Sequence, residues 1–504
     1  MRLGLTRVGA NATLYGLRPP RPHSASGDNC MRRYALSALC LSFAAVPALL
    51  AAQGFGIYEQ GTCSMGRAGT GVAAPCGDGS AIFFNPAGLA GLKGGHATIG
   101  VTLINVDGGF TDDIFQRTND LDDPLIPLPQ VYISYAATPK LGVGVGLFAP
   151  YGLRTEWPLS FDGRFAGYKN VIRSVYIQPT VAYQVTPWLS LGAGLDIVRG
   201  SVELNQHLDL AEAPVPTAIL PPPAGAPPYV FGQFGIAPGT DFANTHLEAS
   251  KTTVTAHWGG IIKINDKLSI GGRYLMHAKF DYSGTATFAP VATNLIVPAT
   301  IAVGPLTIPA GTPIDVLLAS PPLDLFNTVL TSQTVTTSIT NPEQVVFGLA
   351  YKVNPAWTVF GDYQFTRWGK RFYAINIDFQ NALVPDRVLY ERYRNTNGFR
   401  VAAEWAKNAK WTLRGGYLYH QGAAPPETVT PLLPEGNRNE FTGGFTVKLA
   451  SNITADLAAQ YIKQNDRRGR TREPIFNQVP TTGLNTGVYN FHAELFGLSL
   501  SYAF

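Results

Sequence analysis

Few residues in this chain are placed to make or break covalent bonds. The eight histidines are scattered. No Gly-x-Ser-x-Gly elbow, His-Glu-x-x-His pair or Cys-x-x-Cys occurs, so the local signatures of acyl transfer, zinc hydrolysis and dithiol exchange are missing. A lipase triad gathered from distant residues is the one catalytic alternative that spacing leaves open. No metal or cofactor motif is read, so neither is expected. Of the four cysteines, Cys30 and Cys40 sit early in the chain, and Cys63 and Cys76 follow. In a secreted chain the second pair forms a disulfide or stays as two buried thiols. Arg392 and Arg394 share parity with Arg400. A strand through all three points their guanidiniums to one face. There they bind an anionic ligand group or join ion pairs with Arg414, Lys448, Glu404 and Asp456. The chemistry on offer is binding rather than catalysis.

The elements that must hold these residues begin after a leader. Met31-Arg32-Arg33 precedes an uncharged run, residues 34–52, that ends in Ala51-Ala52. A positive start, an apolar middle and a small-residue end make a signal peptide. A transmembrane helix is the rival, but Pro47 and the many alanines suit cleavage better. A lipid-modified Cys40 is disfavoured by the bulky Leu39 before it. Residues 1–30 read as a leader or a mis-assigned start, and 31–52 as the signal peptide.

No long apolar run returns after residue 52, which argues against a helical membrane protein. Charged residues make up 14% of the chain, against roughly 25% in soluble domains. Glycine (53), tyrosine (22) and phenylalanine (27) are abundant. Strands that cross a membrane need an apolar residue only at alternate positions, which suits this composition. A net charge of +4 is too weak to argue for a nucleic-acid partner.

Alternation is clearest at the C-terminus. Phe496, Leu498, Leu500, Tyr502 and Phe504 interleave with Gly497, Ser499, Ser501 and Ala503. Upstream, Phe399, Val401, Ala403 and Trp405 interleave with Arg400 and Glu404. Period two means strands. It does not say which face is inside, since a soluble sandwich reverses the order. The turns decide. Short ones near 138, 186, 265, 354, 407 and 451 alternate with long connections near 107–128, 151–167, 207–245, 286–333, 378–390, 422–436 and 466–486. That arrangement predicts an all-β fold, a 14-stranded antiparallel transmembrane β-barrel spanning residues 94–504. Trp188, Trp357 and Trp411 each follow a short turn and suit an aromatic girdle. Residues 53–93 precede the first strand and are long enough to form an N-terminal hatch, or plug, inside the barrel.

Residues 54–92 resemble the FadL family of long-chain fatty acid transporters. The matching stretches are Gly54-Phe55-Gly56-Ile57-Tyr58-Glu59-Gln60, Gly66-Arg67-Ala68-Gly69-Thr70-Gly71, Asp78 and Asn85-Pro86-Ala87-Gly88. Further matches are Tyr151-Gly152-Leu153, Thr155-Glu156, Asn341-Pro342-Glu343 near the start of strand eight, and the terminal Phe504. The resemblance covers essentially the whole chain after the leader. It implies a bacterial outer-membrane transporter, not an enzyme. The implied ligand is a long-chain fatty acid or another hydrophobic molecule. The other implied partners are outer-membrane lipid, lipopolysaccharide and the barrel assembly machinery, with the chain acting as a monomer. A general porin and a channel for aromatic hydrocarbons are the alternatives.

The resemblance also implies a mechanism. Ligand is caught between two long loops, here the apolar stretches 220–234 and 306–326. It then reaches an inner pocket beside the N-terminus and leaves through a kink in the third strand. The implied gate residues are Phe55 on a mobile N-terminus, Asn85, Pro86 and Ala87 in the hatch, and Pro150 and Gly152 in the kinked strand. Gly142, Gly144 and Gly146 either bend that strand or make room for the plug. The basic residues of the family's inner pocket map onto no specific Arg or Lys of this chain.

Insertion machinery that reads a terminal aromatic sets the first prediction. Deleting Phe504, or Phe504→Asp, lowers the yield of heat-modifiable barrel in outer-membrane fractions. Unchanged yield contradicts the barrel reading.

Overall fold

In the computed structural model, residues 54–122, 125–211, 213–472 and 486–504 are described. The leader and signal-peptide expectations, residues 1–52, lie outside them. Strands β1 (Gly95–Asp112), β2 (Ile126–Ala136), β3 (Leu141–Glu156), β4 (Lys169–Thr186), β5 (Leu189–Leu208) and β6 (Ala243–Lys263) follow in order. Four interrupted strands come next: β7 (Leu268–Leu275 and Ala278–Pro290), β8 (Gln333–Asn341 and Gln344–Lys352), β9 (Trp357–Thr366 and Ala374–Phe379) and β10 (Arg387–Tyr390 and Thr396–Ala406). β11 (Trp411–His420), β12 (Arg438–Lys448), β13 (Ile453–Gln464 and Arg467–Gly469) and β14 (Gly487–Ala503) complete the set. Each pairs antiparallel with its neighbours, and β14 pairs with β1 from Ala503↔His96 to Gly487↔Asp112. The result is a closed 14-stranded antiparallel barrel. Asn341-Pro342-Glu343 marks the break in the middle of β8, not its start, because Pro342 cannot donate to the ladder.

The faces follow the alternation. Phe399 and Val401 are 49% and 57% exposed, while Arg400 between them is 3% exposed. Leu498, Leu500 and Tyr502 face outward, and Ser499 and Ser501 are buried within. An apolar exterior around a polar interior fits a barrel whose solvent is lipid. Trp188, Trp357 and Trp411 are all exposed just beyond short turns, as an interfacial girdle requires. No helix among the described residues is long and apolar enough to cross a membrane.

Residues 54–94 fold inside the barrel as short helical turns: α1 (Thr62–Met65), α2 (Ala81–Phe84) and a 3-10 turn, Pro86–Gly91. The many glycines make this fit possible. A Cβ on Gly142 would lie 2.3 Å from the Leu89 carbonyl oxygen, and one on Gly271 would lie 2.0 Å from that of Val72. Gly144 and Gly146 likewise leave space for Ile82. The glycines of β3 therefore accommodate the plug rather than make the bend. Hatch and wall also share ions: Arg414 meets Glu404 at 2.7 Å and Asp456 at 3.4 Å, and Arg67 of the hatch approaches Glu404 at 3.9 Å. Lys448 is exposed and stands apart from that network.

The two longest loops cover one end. Leu220, Phe231, Phe234 and Phe242 of one pack with Val297, Ile308, Ile314, Leu318 and Leu323 of the other in a separate apolar cluster. Their apolar residues thus satisfy each other as a cap.

Cys63 and Cys76 are joined by a disulfide within the hatch. A loop of this length contributes about 3 kcal/mol in the chain-entropy account. Converting both to serine should leave a heat-modifiable barrel but make the hatch more sensitive to protease. Equal digestion of both proteins would show the bridge to be dispensable.

Candidate functional site

One irregular place in the wall lies between β2 and β3. Their pairing runs from Ala136↔Gly142 to Val131↔Leu147 and stops. β2 continues alone beside β1 down to Ile126. β3 meanwhile makes a register shift against β4 between Phe148 and Tyr151. The extra residue is a bulge, and bulges bend the strand that carries them. Pro150 sits in this bend. Two further prolines prepare the facing edge. Pro127 and Pro129 are two residues apart, so both nitrogens face one side of β2. An unbroken ladder with β1 requires those N–H-less nitrogens to face the gap.

The N-terminal segment repairs the exposed edge of β3. Ile57 N donates to the Pro150 carbonyl at 2.9 Å, and Gly152 N donates to that of Phe55 at 3.1 Å. The Gln60 side chain accepts from Ala149 N and donates to the Ala149 carbonyl, both at 2.9 Å. Gly54 is held in turn. Its N–H donates to the Glu435 carboxylate at 2.5 Å, and its carbonyl accepts from Arg438 at 3.2 Å. Burial pushes the Glu435 carboxyl above its usual range, against the downward pull of backbone amides and the Arg438 guanidinium.

A cavity of about 500 Å³ lies at this junction. Its lining includes Phe55, Ile57, Leu128, Gly152, Leu153, Ile172 and Leu433. It includes buried Tyr393 and Phe491, but also Leu125 and Val175, which are exposed on the outside. The cavity therefore passes through the barrel wall. Phe55 stands at its inner side, 4.7 Å from the Trp368 ring, 5.3 Å from Phe372 and 6.2 Å from Tyr151. These edge-to-face contacts are an arrangement that aromatic rings prefer. A second, smaller apolar cavity of about 80 Å³ lies between Val202, Leu247, Ile339, Ile377 and Leu389.

The sequence expectations distribute unevenly over this site. Phe55 and Gly152 line the cavity, and Pro150 lies at the bend. Phe55 was expected on a mobile terminus, but it is 2% exposed and its backbone is bonded to β3. Asn85, Pro86 and Ala87 do not line the cavity. Asn85 donates to the carbonyls of Val72, Gly260 and Gly272 at 2.6, 3.0 and 3.3 Å, anchoring the hatch to β6 and β7. Arg392 and Arg394 do not line it either. β10 is interrupted from 391 to 395, and Arg392 adopts a left-handed φ of 48°. The break cancels the parity that aimed both at the lumen, and Arg394 is exposed. Arg154, Arg173 and Arg438 are the arginines that line the cavity. The contributions of Gln60, Pro127, Pro129, Glu435 and Arg438 were missed. Pro-x-Pro within an alternating strand was the available signal, since it marks an edge.

Fold and site define a class: an outer-membrane barrel with an internal hatch and a cavity that opens sideways through its wall. The chain belongs to the outer membrane protein transport family (OMPP1/FadL/TodX), whose model matches residues 43–504. It is 25% identical to outer membrane protein P1 of Haemophilus influenzae, over 92% of this chain and 99% of that one. It is 21% identical to the long-chain fatty acid transport protein of Escherichia coli O6:H1, over 93% and 98% of the two chains. A Pseudomonas aeruginosa FadL homologue shares the fold with a TM-score of 0.71 at 19% identity, covering 90% of this chain and all (100%) of the other.

Gln60 supports two backbone groups at the bend, and leaving them unpaired in an apolar site costs about 1–3 kcal/mol each. Gln60→Ala should speed amide hydrogen exchange at Ile57 and Gly152 without loss of the barrel. Unchanged protection would mean that the bend does not depend on this side chain.

Proposed function

We propose that this protein takes long-chain fatty acids, or similarly hydrophobic molecules, across the outer membrane and releases them sideways through the gap between β2 and β3. The observation that carries the proposal is the cavity running from buried Phe55 to exposed Leu125 and Val175. An apolar molecule gains about 25 cal/mol for each Å² it removes from water. A continuous apolar path into the bilayer keeps that gain, and a water-filled pore forfeits it. The filled lumen argues against a general porin. The hatch occupies it, as does the largely buried connection between β11 and β12. Relatives named as long-chain fatty acid transport proteins supply the ligand class.

In this mechanism Phe55 occupies the inner end of the cavity in the resting state and yields its place to ligand. Pro150 and the bulge hold β3 away from β2, and Gly152 leaves the opening unobstructed. The hatch segment at Asn85, Pro86 and Ala87 fixes the plug to the far wall while the N-terminal strand moves. Arg438, which lines the cavity and donates to the Gly54 carbonyl beside Phe55, rather than Arg392 or Arg394, is the cation that meets a ligand carboxylate.

Gly152→Arg tests the path. A Cβ at this position already comes within 3.1 Å of the Ile57 tip, so a long charged side chain would fill the opening. The expected result is loss of most uptake of radiolabelled oleate into cells lacking their own transporter, with the heat-modifiable barrel at its usual level. Wild-type uptake by a correctly inserted variant would move the exit elsewhere. Planar bilayers should show no large steady conductance.

A further inference from the structure

The connection between β11 and β12 does not stay at the rim. Among residues 421–436, only Pro426 and Glu427 are not buried. The segment is tied on several sides. Trp157 Nε1 donates to the Pro431 carbonyl at 3.0 Å, Asn170 Nδ2 to that of Leu432 at 3.0 Å, and Gln464 Nε2 to that of Pro434 at 2.9 Å. Leu432 and Leu433 line the small apolar cavity. Leu433, Pro434 and Glu435 line the large one. Leu433 and Ile172 belong to both, so this inward segment is the partition between them.

The same segment holds the N-terminus. One carboxylate, Glu435, accepts from Ala423 N at 3.0 and 2.9 Å, Ala424 N at 2.9 Å and Gly54 N at 2.5 Å. The first two amides belong to its own loop, and the third belongs to the strand that closes the bend of β3. A displacement of the partition therefore acts on Gly54 through a single side chain. We propose that Glu435 is a positioning residue for transport: ligand passing Leu433 shifts the inward loop, and Glu435 transmits that shift to the N-terminal strand covering the lateral opening. The coupling requires ligand to bind the shifted arrangement more tightly than the resting one. Replacing Leu433 by ligand against Val202, Leu247, Ile339 and Ile377 supplies apolar contact for that purpose. The inference rests on the lateral-release reading above.

The test uses the full-length barrel purified in detergent, with oleate as probe and amide hydrogen exchange at Ile57 and Gly152 as readout. In the wild type, oleate should speed exchange at both amides by about tenfold, the size expected when one charge-assisted hydrogen bond is lost. In Glu435→Gln these amides should exchange fast without oleate, and oleate should add less than about twofold. A merely structural Glu435 would raise the baseline but leave the oleate increment intact, and that result overturns the proposal. So does a wild type that takes up oleate with no change at either amide. If Glu435→Gln gives no heat-modifiable barrel, Glu435→Asp, which keeps the charge but shortens the reach, serves in the same comparison. The two readings separate cleanly. If Gly152→Arg blocks uptake while the oleate increment survives in the Glu435 variant, lateral release stands and the coupling falls. If the wild type takes up no oleate, both fall.

Discussion

Backbone polar groups in a lipid-facing wall must find partners within the protein. A closed barrel satisfies all of them except where two strands separate. Here β2 and β3 part beyond Val131 and Leu147, and that separation organises the rest of the molecule. Prolines at 127 and 129 leave β2 with no donors to satisfy on the open side. The amide and carbonyl groups of β3 at Ala149, Pro150 and Gly152 are met by the N-terminal strand instead. An opening exists because the wall is locally incomplete, and it is tolerated because the hatch completes the hydrogen bonding.

That solution places the cavity where it is. A strand added to the bend brings Phe55 and Ile57 with it, and their apolar side chains line the space next to the missing wall. The aromatic residues behind Phe55 come from β3 and the interruptions of β9 and β10, at Tyr151, Trp368, Phe372 and Tyr393. Breaks in β9 and β10 are thus the means by which bulky side chains turn inward at one level of the barrel. A perfectly regular barrel would alternate straight through that level and leave no such cluster.

Polar contacts in the lumen divide the labour. Lower in the fold, Arg67, Glu404, Arg414 and Asp456 join hatch to wall through ions, and Asn85 joins it through carbonyls of β6 and β7. These bonds keep most of the plug fixed. The N-terminal strand is held by a separate set of groups, among them Pro150 and Gly152 of β3, Gln60, Glu435 and Arg438. The two sets of contacts are distinct, so the N-terminal strand and the rest of the plug are anchored to different parts of the wall.

The amino-acid sequence by itself determined the barrel. Period-two alternation, the ordering of short and long connections and the terminal aromatic are local signals, and lipid outside with a polar lumen inside makes them unambiguous once the turns are counted. It also carried the hatch, the candidacy of Cys63 and Cys76, and the placement of Phe55, Pro150 and Gly152 at one junction. The tertiary structure alone decided which residues line the cavity. Parity placed Arg392 and Arg394 in the lumen, but parity is lost wherever a strand breaks, and β10 breaks at that point. Asn85-Pro86-Ala87 looked like part of the gate, yet its hydrogen bonds go to the far wall. Gly142, Gly144 and Gly146 proved to fit the plug because their plug neighbours, Leu89 and Ile82, lie more than fifty positions away in the chain. The inward course of residues 421–436 left no pattern in composition. A buried loop and an exposed one of this kind read alike until the carboxylate of Glu435 is seen bonded to Gly54, and no local rule connects residues so far apart.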